Sequence, residues 1–312
     1  MNIISFFSGC GGLDLGFHRA GFKTLFANDI NASAMRTYVD NFPEVIFHKD
    51  SISKIRIPSI QGIVGVVGGP PCQSFSIAGA GRGVSDKRGY LFLEYILKIR
   101  DISPKFFVAE NVKGLLSKRH TETYKTLISE FDNIGYNVET ILLNASDFGV
   151  AQSRERVFLV GFRGDIAYKN MDFESFSQQF RKKVVLRDVL SSQNFDLDLY
   201  AGSYSPRYMS RNRKRTWEEP SFTIPATARQ IPLHPSSPDM IKVDSDTWIF
   251  DNTKIESYRR FTIRECALIQ SFPRDYKLSY SSIAEGYKII GNAVPPRVAE
   301  IIALYIREKI FV

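Results

Sequence analysis

The chain has 312 residues, 44% of them hydrophobic and 24% charged, a balance that suits folded domains and excludes a disordered or low-complexity protein. Its 41 Lys and Arg against 33 Asp and Glu leave a net charge of +8, a surplus that favours a polyanionic partner. Three scattered cysteines, Cys10, Cys72 and Cys266, lack a CxxC pair or a histidine at ligand spacing, so neither a disulfide framework nor a metal site is expected.

The start MNIISFFSGCGGLDLGF has no basic leader and reaches glycine before it could span a bilayer, so a reduced, cytoplasmic setting without a membrane partner is expected. Length alone suggests two domains.

In chain order, short apolar runs alternate with amphipathic stretches, the rhythm of βαβ units. Strands are predicted at Ile3 to Phe7 and Lys23 to Ala27, with helices at Leu13 to Ala20 and Ala32 to Val39. The pattern continues through a strand at Gly62 to Val67, a helix at Leu91 to Arg100, a strand at Lys105 to Ala109 and a helix at Thr121 to Ile134. Two β-rich runs, Tyr136 to Leu143 and Val157 to Gly161, close this part.

Up to about residue 165 this reads as one doubly wound α/β domain. From there the rhythm breaks: Lys169 to Tyr200 is polar and dotted with Phe, and Ser203 to Pro235 is dense in Arg, Pro, Ser and Thr. A second, irregular domain is expected. Helical spacing returns at Thr262 to Ser271 and Pro296 to Ile306.

Four groups could carry chemistry. The first is Phe7-Ser8-Gly9-Cys10-Gly11-Gly12, between the first strand and its helix, with Asp29 at the end of the second strand. Glycines let a backbone approach a ligand at a helix N-terminus, and a carboxylate there can accept from ribose hydroxyls. Asp14 stands where a dinucleotide fingerprint wants its third glycine, which favours a compact adenosyl ligand over a pyrophosphate. The second is Gly68-Gly69-Pro70-Pro71-Cys72-Gln73-Ser74-Phe75-Ser76. Two prolines stiffen the chain at the ligand-binding edge of the sheet, and a Cys72 thiolate would be a strong nucleophile there.

After it, Ile77 to Tyr90 is glycine-rich and carries Arg82, Lys87 and Arg88, as a lid attractive to phosphates would be. Cys10 and Cys266 look like packing residues. The third group is Glu110-Asn111-Val112, whose carboxyl is a candidate acid if burial raises its pKa; an ordinary strand-end glutamate is the plainer alternative. The fourth is Gln152-Ser153-Arg154-Glu155-Arg156, where strand alternation would point Arg154 and Arg156 to one side to clamp a carbonyl and a phosphate.

Taken in order, FSGCGGL, Asp29, Asp50 in HKDSI, GGPPCQSFS, ENV, QSRERVF, RECALIQSFP and GNAVP resemble the blocks of the bacterial DNA (cytosine-5)-methyltransferases of modification systems. The resemblance implies transfer of the methyl group of S-adenosylmethionine to carbon-5 of a cytosine flipped out of duplex DNA, through a covalent Cys72 adduct. Glu110 would act at N3, Arg156 would hold the carbonyl at carbon-2, and Arg154 would sit nearby. It implies a methyltransferase fold with a mixed doubly wound sheet, residues 1–165 completed by 283–312, and a DNA-recognition domain over 166–282.

By the same resemblance Phe7 meets the adenine, Asp29 the ribose and Asp50 the adenine amino group. Gly9, Gly11, Gly12, Leu13, Ile30, Ser51, Gly69, Pro71, Leu91, Asn292 and Ala293 complete the cofactor set. Asp29 departs from the glutamate more usual in the family, and Ala293 stands where some relatives carry serine. Ser76, Arg82 and Arg88 would face DNA from the lid, and Arg211, Arg213, Arg215, Arg229 and Gln230 from the second domain.

The stretch SYSPRYMSRNRKRTW is similar to that of small enzymes that modify GGCC, and implies a monomer acting on double-stranded DNA, with a cognate restriction endonuclease as a candidate companion. A transfer RNA cytosine-5 methyltransferase and a catalytically silent nucleic-acid-binding protein remain as alternatives. A dehydrogenase is disfavoured by Asp14.

Overall fold

The computed structural model describes residues 1–57, 60–71, 89–190 and 199–312. Its centre is a seven-stranded sheet built from β1 (Asn2–Phe6), β2 (Lys23–Asn28), β3 (Ile46–His48), β4 (Ile63–Gly68), β5 (Phe106–Val112), β6 (Tyr136–Asn144) and β7 (Glu155–Arg163). The order is β3-β2-β1-β4-β5-β7-β6. Strands β3 to β5 run parallel, and β7 is antiparallel to both β5 and β6. The predicted mixed α/β sheet is therefore found, with the short β3 as an addition.

Both faces are covered, as a parallel sheet requires. Successive side chains of β5 point to opposite faces: Phe106 and Val108 join one core, Phe107 and Ala109 the other. The first face carries α1 (Gly12–Arg19) and α9 (Pro296–Ile310). The second carries α3 (Gly89–Ile102) and α4 (Thr121–Asn133) through Phe92, Tyr95, Leu127 and Phe131. Helix α2 (Ala32–Asn41) turns Ala34 and Tyr38 into a third core, shared with Ile224, Ile231, Phe261, Cys266 and Tyr287. Cys10 and Cys266 are fully buried in it, as packing residues should be.

The C-terminal run comes back against the sheet. At Gly16 of α1 any Cβ would meet Ala299 and the backbone of α9, so only glycine permits this close crossing of the two helices. Ahead of α9 lies α8 (Ile283–Asn292), which the periodicity reading did not separate. It has a sequence signal: Ser282 caps it by accepting from the Glu285 N–H at 3.3 Å. The apolar run 283–310 is long enough to cross a bilayer by composition, but it is split between these two helices and mostly buried.

Between sheet and α8 the chain is largely irregular, as expected, with α5 (Phe173–Ser177), α6 (Leu186–Val189), the two-stranded β8 (Ile241–Lys242) and β9 (Trp248–Ile249), and α7 (Ile263–Ile269). Rings and arginines hold it more than periodic packing does. Arg260 stacks 3.7 Å over Tyr204 and donates to the carbonyls of Tyr200 and Gly202. The Thr262 and Glu265 side chains cap α7 reciprocally.

Candidate active site

In a doubly wound sheet the strand ends open a crevice where the chain order reverses. Here β1 lies between β2 and β4, and the segments leaving β1, β2, β4 and β5 enclose a cavity of about 780 Å³, within the range of small-molecule sites. Its wall includes Phe7 to Gly9, Gly12, Leu13, Asp29 to Asn31, Gly69 to Pro71, Glu110 to Val112, Arg154 and Arg156. Helix α8 and its exit complete it with Glu285, Lys288 and Gly291 to Val294.

Phe7 sits at φ +52°, a left-handed backbone that a phenylalanine rarely adopts and that marks strain at a functional turn. The turn it opens is locked: Ser8 N–H donates to Asn28 O, and Gly11 N–H to Ser8 O. Asp29 is drawn to this turn by accepting from the N–H of Gly9 at 2.9 Å and of Asn31 at 2.8 Å. A carboxylate has about four acceptor positions, so acceptor capacity remains for a ligand's hydroxyls. Burial raises the Asp29 pKa, opposed by those N–H bonds and by Lys288.

Below the turn lies Asp14, whose role the sequence did not disclose. It is buried and accepts from Ser5 Oγ, Thr24 Oγ1 and Tyr38 OH, each at 2.9 Å, tying the first turn of α1 to β1, β2 and α2.

At the other end of the cavity, β5 and β7 are paired so that Glu110 faces Phe158 and Val112 faces Arg156. Arg156 Nε stands 2.9 Å from Glu110 Oε1, both side chains being nearly buried. Among the described residues Oε1 has this ion pair but no well-angled hydrogen bond, so it keeps acceptor capacity that a substrate can use. Burial raises the Glu110 pKa, with Arg156 and then Arg154 pulling it down. Asn111 Nδ2 donates to Pro70 O at 3.0 Å, fixing the chain that leads toward residue 72. Cys72, Ser76, Arg82, Arg88 and the rest of the expected lid up to residue 88 lie outside the described residues.

Several of the expected residues have other partners or lie off the cavity wall. Arg154 borders the cavity, yet it is fully buried and its terminal nitrogens donate to Ile224 O at 3.2 Å, Gly291 O at 2.9 Å and Ala293 O at 3.0 Å. It therefore has no free fork for a phosphate; β7 begins only at Glu155, so strand alternation did not govern it. Gly11 faces the core: a Cβ there would collide with Phe42 and the Tyr276 hydroxyl. Asp50, Ser51 and Leu91 are not on the cavity wall among the described residues. The Asp50 carboxylate is half-exposed and accepts from the Ser51 N–H.

The arginines of the second region divide in two. Arg211 is exposed and makes no hydrogen bond or ion pair among the described residues, and Arg229 is exposed while donating to Tyr204 O. Arg213 is turned inward, donating to Tyr208 O and Arg207 O and lying over the Tyr208 ring. Arg215 pairs with Glu219 and stacks on Phe222, and Lys214 pairs with Asp239. Gln230 is half-buried beside Arg229.

Sequence reasoning missed Asn31, Glu285 and Lys288. Asn31 caps α2 by accepting from Ala34 N–H and donates to Glu285, which also pairs with Lys288 at 3.0 Å. This strap joins parts of the chain 254 residues apart, and only the tertiary fold could disclose it.

A cavity of this size at the strand ends, lined by a nearly buried carboxyl beside a guanidinium, is the site of an α/β protein that takes a small molecule. The chain belongs to the family of C-5 cytosine-specific DNA methylases, whose model matches residues 1–308. It is 46% identical to the Type II methyltransferase M.FnuDI of Fusobacterium nucleatum, over 99% of this chain and 95% of that one. It is 44% identical to M.MthTI of Methanothermobacter thermautotrophicus, over 99% and 98%.

Among solved structures, the Entamoeba histolytica methyltransferase EhMeth is 20% identical with a TM-score of 0.74, covering 99% of this chain and 98% of that one; this likeness shows the fold. The protein is thus a DNA cytosine-5 methyltransferase, and its family implies S-adenosylmethionine as methyl donor. The transfer RNA and catalytically silent readings are not favoured.

Proposed function

We propose that the protein methylates carbon-5 of a flipped-out cytosine in a short duplex word, through a transient bond to Cys72. The observation that carries this is Glu110: a nearly buried carboxyl on the cavity wall with a raised pKa, ion-paired to Arg156. Carbon-5 of cytosine is a poor nucleophile until the ring's aromaticity is broken. The Cys72 thiolate adds to carbon-6 while Glu110 delivers its proton to N3, leaving an enamine whose carbon-5 can attack. A raised pKa suits Glu110 to that delivery, and Arg156 both steadies the carboxylate left behind and donates to the ring carbonyl.

The donor supplies an electrophilic sulfonium methyl when bound. Loss of the carbon-5 proton to solvent and expulsion of Cys72 restore the ring, and N3 returns its proton to Glu110. A stacked base offers no approach perpendicular to its plane, so the cytosine must leave the helix.

The residues around the cavity fit an adenosyl group. Phe7 offers a ring, Asp29 retains free lone pairs, and Gly9 has open space beside its backbone. Gly12, Leu13, Ile30, Gly69, Pro71, Asn292 and Ala293 share that wall and form the rest of the proposed pocket. Residues 166–282 are proposed as the DNA-reading part, with the exposed Arg211 and Arg229 and the half-buried Gln230 as its readers, and Ser76, Arg82 and Arg88 as further DNA contacts. The resemblance of the stretch 203–217 to small GGCC-modifying enzymes favours GGCC as the word. The Type II names of the relatives favour a role beside a cognate endonuclease, with the enzyme acting as a cytoplasmic monomer.

Bisulfite sequencing of plasmid from cells expressing the protein tests this: protection of one cytosine in every GGCC is expected. Protection of a different word would move the specificity, and no protection at all would remove the activity.

A further inference from the structure

Arg154 is the largest fully buried side chain among the described residues, and its terminal nitrogens are engaged by the fold. Its planar fork holds three backbone carbonyls from two distant stretches: Ile224 on one side, Gly291 and Ala293 on the other. Those stretches also touch directly. A Cβ on Gly291 would overlap the carbonyl of Pro225 and the nitrogen of Ala226, so backbone packs on backbone with no side chain between them.

The strand entrance is laced to the same place. Gln152 Oε1 accepts from Ile224 N–H at 2.8 Å, Ser153 N–H donates to Ser221 O, and Ser221 N–H donates to Ala151 O.

What lies next along each stretch gives the joint its meaning. A few residues past Pro225 come Arg229 and Gln230, and directly after Gly291 come Asn292 and Ala293 of the cavity wall. We infer that Arg154 is a positioning residue that couples the DNA-reading stretch to the cofactor wall, so that duplex DNA and methyl donor bind cooperatively through it. The inference rests on the proposed reading of residues 224–230 as part of the DNA surface. A rigid guanidinium shared by both stretches transmits a shift of one to the other, whereas an ammonium on a flexible stem cannot hold all three carbonyls in one plane.

The experiment measures the affinity of S-adenosylhomocysteine by calorimetry with and without a duplex bearing the word that bisulfite mapping identifies. In the native enzyme the duplex is expected to tighten binding by about fivefold or more. In Arg154→Lys, that ratio, taken against the variant's own affinity without DNA, is expected to fall to within about twofold of one. Thermal unfolding is recorded for each variant. Should Arg154→Lys fail to fold, Gln152→Leu, which loosens the joint from the Ile224 side, must lower the ratio in its place.

A native ratio of one, or an unchanged ratio in the folded variant, overturns the inference. A native protein that methylates no DNA overturns instead the function on which it rests.

Discussion

Arg156 Nε lies 2.9 Å from Glu110 Oε1 across the β5–β7 pair, a nearly buried ion pair that joins the two strands. Two neighbouring strands thus hold a cation beside a carboxyl whose pKa burial raises. A surface ion pair would be expected to drain the proton from such a carboxyl; here desolvation outweighs the attraction.

Glu110→Gln keeps the shape and loses the transferable proton. A fall in kcat of about 10²- to 10⁴-fold is expected, with donor affinity unchanged. Because burial raises the pKa of Glu110, native kcat/KM should decline as pH climbs through that raised value, and this limb should vanish in the variant. Steady-state rates across pH check both.

Asp29→Asn should weaken S-adenosylhomocysteine binding by about tenfold to a hundredfold, the loss of one to two charge-assisted hydrogen bonds. The substitution also replaces one acceptor of the Gly9 or Asn31 N–H. Calorimetry reads the change directly, and an unaltered affinity would remove Asp29 from the ribose site.

Arg211 and Arg213 separate reading from scaffolding. Arg211→Ala should raise the duplex Kd by roughly threefold to a hundredfold, the span from a lost phosphate contact to a lost base contact, without altering thermal unfolding. Arg213→Ala removes two bonds to backbone carbonyls and should destabilise the fold by about 2 kcal/mol or more. Binding titrations and melting curves on both variants distinguish the cases.

The elements of the sheet were readable because buried parallel strands are continuous apolar runs punctuated by glycine; β1, β2, β4 and β5 announce themselves so. The three residues of β3, Ile46–His48, are too few to show a period. Residues 199–261 resisted reading because Arg260, Tyr204 and Arg213 build their structure from non-local stacking and carbonyl bonds. In the cavity, the turn residues after each strand were legible. The inward turn of Arg154 and the strap of Asn31, Glu285 and Lys288 depend on partners many residues away, which no local pattern encodes.

His234 is buried, and burial lowers its pKa from 6.5 to about 4, against the pull of Glu265. A histidine held neutral in the fold contributes stability above its unfolded pKa that is lost as pH falls toward the folded one. Stability should therefore drop by roughly 1–3 kcal/mol between pH 6.5 and about 4 from this group. Urea titrations of the native protein and His234→Asn, whose side-chain oxygen can still accept from Ser236 N–H, should show a shallower decline in the variant.

The sharpest measurement uses a duplex with 5-fluorocytosine at the methylated position, incubated with S-adenosylmethionine. Fluorine replaces the proton that must leave carbon-5, so the enzyme cannot complete its elimination and should remain bonded to the DNA. Mass spectrometry of the digested complex is expected to place the adduct on Cys72, and Cys72→Ser should form none. An enzyme that methylates the unmodified duplex but leaves no adduct, or carries it on another residue, would contradict the account.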